Sequence, residues 1–369
     1  MSDGGQAGSA GRVTLRDVAI RAGVAVSTAS LVFSGNRPVA TSTADRVRAA
    51  AVELGYGGPD PMASSLRYGR SGVIAAVVER RILHAFRDPY VVSVLDGLSQ
   101  VIGEMGCGLL LLPDATEGHG DPGPQVSRIA ADAAVFMLCG DENNELATQF
   151  AARGVPIVGT GAPRGAGIVQ VTADERAASR SLAELLRDLG HRKVGHVTMP
   201  LRWGGATGAC TIAQVRASHF PDSRDRALGV RDVFPTAALV EAGEPDFDSG
   251  HAAAGLLLDA RDRPTAIVAQ SDLLAAGVVQ AAVDRGLRVP EDLSVTGYDG
   301  VQLPWFGRSL TTIDQHPLDK GRTVGETVRA LLAGEDVSDV TVPVTLRVGD
   351  TTGPAPASGA HRLTVDPAD

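Results

Sequence analysis

Gly72-Val73-Ile74-Ala75-Ala76-Val77-Val78 is an unbroken apolar run, and it is the first of a series. It falls far short of the ~18 apolar residues that a membrane span needs. It also lacks the alternation of a half-exposed strand, so it reads as a strand buried on both faces. Similar runs follow at Gly108 to Leu112, Ala133 to Leu138, Val155 to Gly159, Val194 to Thr198, Ala266 to Ala269 and Leu293 to Gly297. Helical stretches separate most of them, Val91 to Met105 among these. Buried strands alternating with helices imply a parallel sheet covered on both faces. Ligands of such folds gather outside the C-terminal strand ends. A chain of 369 residues has length for two or three domains.

The first sixty residues follow a different period. Thr14-Leu15-Arg16-Asp17 places a cap-type hydroxyl three residues before an acid. Leu15, Val18, Ala19 and Ala22 then recur with helical spacing, and Gly23 offers the left-handed stop. A second helix is expected over roughly 25–33, with Ala29, Val32 and Phe33 on one face. A third is expected over 41–54, with Val47, Ala50, Ala51 and Leu54 in a stripe and Gly55 as its stop. Two short helices joined by a glycine turn make a helix-turn-helix. Spacing alone also allows a plain three-helix bundle with no nucleic-acid role. Charge fits the first reading, although such a balance can also be an ordinary solvated surface. The chain carries 34 basic and 43 acidic residues, yet residues 1–70 hold eight arginines against five acids. A basic head on an acidic body is one footprint of an attached DNA-binding module. Only Lys193 and Lys320 are lysines, a bias typical of GC-rich coding that carries no functional reading by itself.

Taken together, Val13 to Gly35, Thr43, Arg46-Val47, Ala50-Ala51 and Leu54-Gly55-Tyr56 resemble the head of the LacI/GalR family of bacterial transcriptional regulators. Pro59 to Arg67 resembles that family's hinge, and Gly69-Arg70-Ser71-Gly72 its entry to the core. The resemblance implies that the second helix enters the major groove. Val26, Ser27 and Leu31 would then face bases, with Thr28 and Ser30 near phosphates or helix packing, and Thr14 and Arg16 as further DNA contacts. Ser27 can hydrogen-bond to base edges, whereas Val26 and Leu31 offer only apolar contact. Ala25 stands where the family usually has Ser, which removes a cap, and Leu31 stands where many members have Arg or His. Leu66 matches the family's minor-groove leucine, a wedge that kinks the duplex; outside that match it is an ordinary linker leucine.

The body carries the same resemblance to about residue 350. Its marks are Asp88-Pro89-Tyr90, Asp174 after Val169-Gln170-Val171, Leu189 to Lys193, Arg226 to Gly229, Ser271-Asp272, Val289 to Asp299 and Leu310 to Ile313. Leu201 to Asp222 and Glu117 to Gln125 fit it poorly. The implied fold class is α/β: a three-helix helix-turn-helix head (12–58), a hinge (59–70) and a two-subdomain, periplasmic-binding-protein-like parallel core (71–350). A disordered tail (351–369), rich in Pro, Gly, Ala and Ser, would follow. Candidate effector residues are Glu79 and Arg80 after the first strand, Arg226 and Asp299 as holders of ligand hydroxyls, Ser271, and Trp305 as a stacking surface. The alternative for Arg226 with Asp299 is a structural ion pair, and for Trp305 a core or dimer-surface residue.

Enzyme motifs are missing from this reading. Gly159 to Gly165 lacks the spacing of a dinucleotide loop and contains Pro163, and there is no GxSxG elbow or Walker loop. Cys107, Cys139 and Cys210 are scattered, and His191 with His196 makes poor zinc geometry, so no metal or cofactor is expected. No secretory leader is visible at the N-terminus, which points to a cytoplasmic protein. The expected function is a repressor-type regulator: a homodimer on double-stranded operator DNA, controlled by a small molecule such as a sugar, with no membrane partner. The rivals are a periplasmic-type solute-binding protein, an α/β enzyme, and a DNA-binding regulator whose cleft is vestigial.

Overall fold

Thr14 closes a capping box at the start of α1 (Leu15–Ala22): its hydroxyl accepts from Asp17 N–H, and Asp17 Oδ2 accepts the Thr14 N–H at 2.8 Å. The computed structural model describes residues 13–34, 37–58, 69–78, 82–114, 129–137 and 140–357, in two units that divide after Ser71. In the first unit, Gly23 ends α1 at φ +64°, and α2 (Val26–Ser34) leaves at 108° to it. The third helix, α3 (Thr41–Leu54), ends at Gly55 with φ +66°. Val18, Ala19, Ala22, Ala29, Val47, Ala50 and Ala51 form one small core, edged by Phe33 and Tyr56 with ring centroids 5.5 Å apart. Small residues at the crossing let three short helices approach closely. None of them would persist alone, because helices under ~12–15 residues are marginal in water.

The second unit has two sheets, each the centre of a lobe. Lobe 1 is wholly parallel, in the order β12-β5-β4-β3-β1-β2. Its strands are β1 (Val73–Val78), β2 (Gly108–Pro113), β3 (Ala133–Phe136), β4 (Ile157–Gly159), β5 (Ile168–Thr172) and β12 (Val340–Thr341). One face carries α5 (Pro89–Glu104) and α12 (Pro317–Ala333), the other α6 (Glu145–Ala152), with the short α4 (Ile82–Arg87) beside α5. Both faces of β1 are covered: Ile74, Ala76 and Val78 join one core, Ala75 and Val77 the other. That double burial is why its sequence does not alternate.

Lobe 2 has the order β13-β11-β10-β9-β6-β8-β7, parallel except at its two edge pairs. Its strands are β6 (Val194–Thr198), β7 (Gly208–Ala209), β8 (Ala238–Glu241), β9 (Ala266–Ala269), β10 (Ser294–Asp299), β11 (Thr311–Asp314) and β13 (Thr345–Arg347). Helices α7 (Glu175–Asp188) and α9 (Pro221–Val233) cover one face; α10 (Phe247–Leu258) and α11 (Asp272–Val283) cover the other. The short α8 (Ile212–Ala217) precedes α9. Glycines permit the closest helix pairs: a Cβ at Gly97 would overlap the Leu318 carbonyl, and one at Gly229 the Arg176 carbonyl. The chain crosses between lobes after β5, after β11 and after β12.

The expected tail needs correction. Residues 351–357 are part of lobe 2, not disordered. Thr351 is fully buried; its carbonyl accepts Val295 N–H of β10 at 2.8 Å, and its hydroxyl donates to the Val295 carbonyl. Ala355 N–H donates to Leu189 O, and Gly353 O accepts at the His191 ring. Small side chains suggested a loose segment, but here they let the backbone lie flat on the sheet. Residues 358–369 lie outside the described part, as do the hinge residues 59–68.

Candidate functional site

The head presents one exposed helix face. Val26 is 46% exposed and Ser27 is exposed; Thr28, Ser30 and Leu31 are half-buried as α2 turns toward the core through Ala29. Arg16 is exposed on α1, so it is available to a phosphate. Thr14 is exposed, but its hydroxyl is engaged with Asp17 at 2.7 Å. The structure therefore groups Val26 and Ser27 on the outer side of α2 and gives Thr14 a capping role. Leu66 lies outside the described residues.

In the second unit a cavity of about 610 Å³, its open mouth included, lies between the lobes. Lobe 1 contributes Asp88 and Tyr90 at the start of α5, Thr160 beyond β4 and Lys320 on α12. Lobe 2 contributes Asp222 and Arg226 on α9, Ser271 beyond β9 and Asp299 at the end of β10. Met137 and Met199, each just past a strand end, add apolar wall. All the strand-borne residues come from C-terminal ends, where parallel sheets place their ligands.

Arg226 is the electrostatic centre. It is almost wholly buried, with Nε 2.7 Å from Glu175 Oε2 and Nη1 2.7 Å from the Gln270 carbonyl. Its guanidinium carbon lies 3.8 Å from the Tyr298 ring centroid, and Nη1 stands 3.9 Å from Asp299 Oδ1. Burial opposes ionisation of Glu175, yet the Arg226 and Lys320 charges hold its carboxyl below the ordinary value. Asp299 goes the other way. Burial pushes its carboxyl well up, Arg226 opposes this, and Asp272 and Asp88 add to it. Asp299 also sits at φ +119°, a region L-residues rarely adopt, and is held there by Gln315, whose Nε2 donates to Oδ1 at 3.0 Å. Lys320 Nζ donates to Tyr90 Oη at 2.9 Å and to Gln315 Oε1 at 3.2 Å. Asp88 caps α5 by accepting Tyr90 N–H at 2.8 Å, and burial raises its carboxyl.

The sequence-derived set is thus brought together in part. Arg226, Ser271 and Asp299 face one cavity. The Ser271 hydroxyl also accepts Leu274 N–H as the cap of α11. Trp305 is not in the lining: it is 59% exposed and packs edge-to-face on Phe247 at 5.6 Å and on Phe306 at 6.2 Å. Glu79 and Arg80 lie outside the described residues. Asp88, Tyr90, Asp222 and Lys320 were not singled out as site residues. One signal was present, the Asp-Pro helix start at Asp88.

Residues 14–58 match the bacterial regulatory proteins of the lacI family, and residues 183–352 match the periplasmic binding protein-like domain. An HTH-type transcriptional regulator of Mycolicibacterium smegmatis is 32% identical over 360 residues, spanning 93% of this chain and 97% of that protein. The chain belongs to the LacI family of bacterial transcriptional regulators. Two solved structures share this LacI-family fold. The Lac repressor dimer bound to operator and the anti-inducer ONPF is 23% identical, with a TM-score of 0.73 over 93% of this chain and 100% of that one. The CelR–cellobiose complex is 24% identical, with a TM-score of 0.64 over 92% and 100%. This LacI-family chain is accordingly a DNA-binding transcriptional regulator, not an enzyme. Among its described residues, no single helix is long and apolar enough to cross a membrane.

Proposed function

We propose that this regulator is a cytoplasmic homodimeric repressor whose operator affinity is set by a small, uncharged polyhydroxy metabolite, a sugar or a near relative, in the interlobe cavity. One observation carries the ligand class: three carboxyls, Asp88, Asp222 and Asp299, face the cavity, while Arg226 and Lys320 already bond to protein partners. Carboxyl oxygens accept from ligand hydroxyls, whereas an anionic ligand would have to draw Arg226 and Lys320 away from those partners. The cellobiose held by CelR is of the favoured class.

In the head, Val26, Ser27 and Leu31 would meet base edges, Thr28, Ser30 and Arg16 the backbone, and Leu66 would wedge the minor groove. A two-fold dimer is required to set two such helices one DNA turn apart. Exposed Leu83, Phe86 and Val92 on α4 and α5, with Leu256 and Val283 on α10 and α11, are apolar surface that a second copy would cover.

The test is a thermal-shift series on the full chain with neutral mono- and disaccharides and their phosphate esters. A true effector stabilises by RT ln(1 + [L]/Kd), about 2.7 kcal/mol at a hundredfold excess over Kd. Stabilisation by a phosphate ester and not by its neutral parent would overturn the ligand class. No stabilisation by any polyhydroxy compound would favour a regulator with a vestigial cleft.

A further inference from the structure

After β6 the chain runs through Leu201 to Asp222, one of the two stretches that fit the family pattern poorly. That stretch is firmly built on lobe 2. Leu201 N–H donates to Glu241 Oε1 at 2.9 Å, Ser218 Oγ to the Leu201 carbonyl at 2.7 Å, and Ser223 Oγ to the Pro200 carbonyl at 2.8 Å. The Trp203 ring meets Phe220 edge-on at 5.0 Å, and Val215 is fully buried beside Leu201, Ala227 and Leu239.

Its far end reaches the other lobe. Glu142 N–H, in the loop after β3, donates to the His219 carbonyl at 2.9 Å, and His219 Nδ1 stands 3.1 Å from Glu142 Oε1. Glu142 is itself tied to lobe 1, because its carbonyl accepts Arg164 N–H at 2.9 Å, and Arg164 Nε donates to the Gly161 carbonyl at 3.0 Å. Close by, Asp222 lies against Gly161: a Cβ on that glycine would stand 2.5 Å from Asp222 Oδ2. One patch of lobe 1 thus meets one short stretch of lobe 2.

We propose that this stretch is a clasp across the cavity mouth, with Glu142 and His219 as positioning residues that bias the lobes toward closure. The link to effector retention rests on the effector reading above; the clasp itself does not. Neither residue lines the cavity, and their side chains are 32% and 62% exposed, so they act at the rim and not on the ligand. A contact made between lobes shifts the open–closed equilibrium by its own difference in free energy between the two states. An exposed side-chain contact of this kind moves such an equilibrium only a few-fold; the backbone bond from Glu142 adds to it and fixes its register.

Hydrogen exchange on the full chain, without ligand, tests the clasp. His219→Asp sets two carboxylates face to face. Amides of residues 140–144 and 161–164, on the opposite lobe from the substitution, should exchange roughly three- to tenfold faster, with those of β1 and β6 unchanged. Adding Glu142→Lys to His219→Asp puts an opposite-charge pair in place of the two carboxylates and should return exchange toward wild type, which a merely structural role would not do. Glu142→Gln, a milder change, should give a smaller increase of the same sign and serves if His219→Asp does not fold. Unchanged exchange at 140–144 in these variants, or a swapped pair as fast as the single variant, overturns the clasp. Cellobiose and D-glucose are the ligand probes. If either stabilises wild type and His219→Asp equally, the clasp has no part in retention; if neither binds wild type, only the effector reading suffers.

Discussion

Arg226 Nε and Glu175 Oε2 lie 2.7 Å apart, with side chains only 3% and 6% exposed. The arginine that faces the cavity is therefore also half of a buried ion pair. Removing one partner leaves the other charged and desolvated, which costs about 3–5 kcal/mol. Arg226→Ala should lower the unfolding free energy, read from urea unfolding, by that amount even without ligand. Replacing both residues by Met should recover much of the loss, since a buried pair can often be exchanged for apolar side chains at little cost. An Arg226→Ala variant as stable as wild type would show that the pair is relaxed in solution.

Asp299 separates ligand from fold more cleanly. Its carboxyl faces the cavity and is raised by burial, so the folded chain already tolerates it in neutral form. Asp299→Asn keeps the size and an acceptor for Gln315, and Asn is among the residues that best accept a positive φ. The expected outcome is loss of the effector's influence on operator binding, with ligand-free operator affinity unchanged. Fluorescence anisotropy of a labelled operator, with and without effector, reads both. An intact response in Asp299→Asn would remove this residue from the site.

Much of this was legible in sequence because short-range signals agreed with one another. Thr14, Asp17, Gly23 and Gly55 set the head's helix ends where they occur, and β6 and β9 occupy the spans their apolar runs define. Helix and strand periods do not depend on distant partners. Other features do. β8 ends in Glu241, whose polarity masks a buried strand until Leu201 N–H is seen to satisfy it. Thr351 to Ala355 is ordered by hydrogen bonds to residues 40 to 166 positions away in the chain. Lys320 reaches the cavity because the chain returns to lobe 1 late, through α12, and no local pattern announces such a return.

His196 gives a pH prediction of definite sign. It is fully buried in β6, and neither ring nitrogen has a hydrogen-bond partner among the described residues. Burial, aided by Arg231, pushes its pKa down to about 3. A histidine depressed in the folded state contributes stability fully present above its unfolded pKa near 6.5 and lost as pH falls toward 3. The loss is of the order of 4 kcal/mol once pH is below both values. His196→Leu should flatten the acid limb of a stability-versus-pH curve measured by urea unfolding. Parallel curves for the two proteins would assign the acid limb to other groups.

Asp272 works in the opposite sense. Burial raises its carboxyl to about 7, against hydrogen bonds from Thr312 Oγ1 and Val301 N–H. A raised carboxyl contributes stability that is present below its unfolded pKa near 3.8 and lost as pH climbs through about 7. Asp272→Asn should therefore gain on wild type in the same titration as pH rises from 4 to 8. A constant difference between the two proteins across that window would mean that Asp272 is ionised throughout.

The head offers a separation of three DNA-binding terms by salt. Arg16 is exposed on α1, so Arg16→Ala should lower affinity for any sequence and reduce the slope of log K against log salt by about 1. Ser27 is exposed on the outer side of α2 and carries a donor and an acceptor. Ser27→Ala should cost about 1–3 kcal/mol at the operator, relax preference at one base pair, and leave the slope alone. Leu66 lies beyond the described residues, and its expected role as a wedge comes from the family resemblance. Leu66→Ala keeps helix propensity but removes the wedge, so operator affinity should fall by roughly 1–3 kcal/mol and the bend should shrink. Non-specific affinity and salt slope should stay near wild type, because no charge is lost. Affinity and bending unchanged in Leu66→Ala would make it an ordinary linker residue, and specificity would then rest on α2 alone.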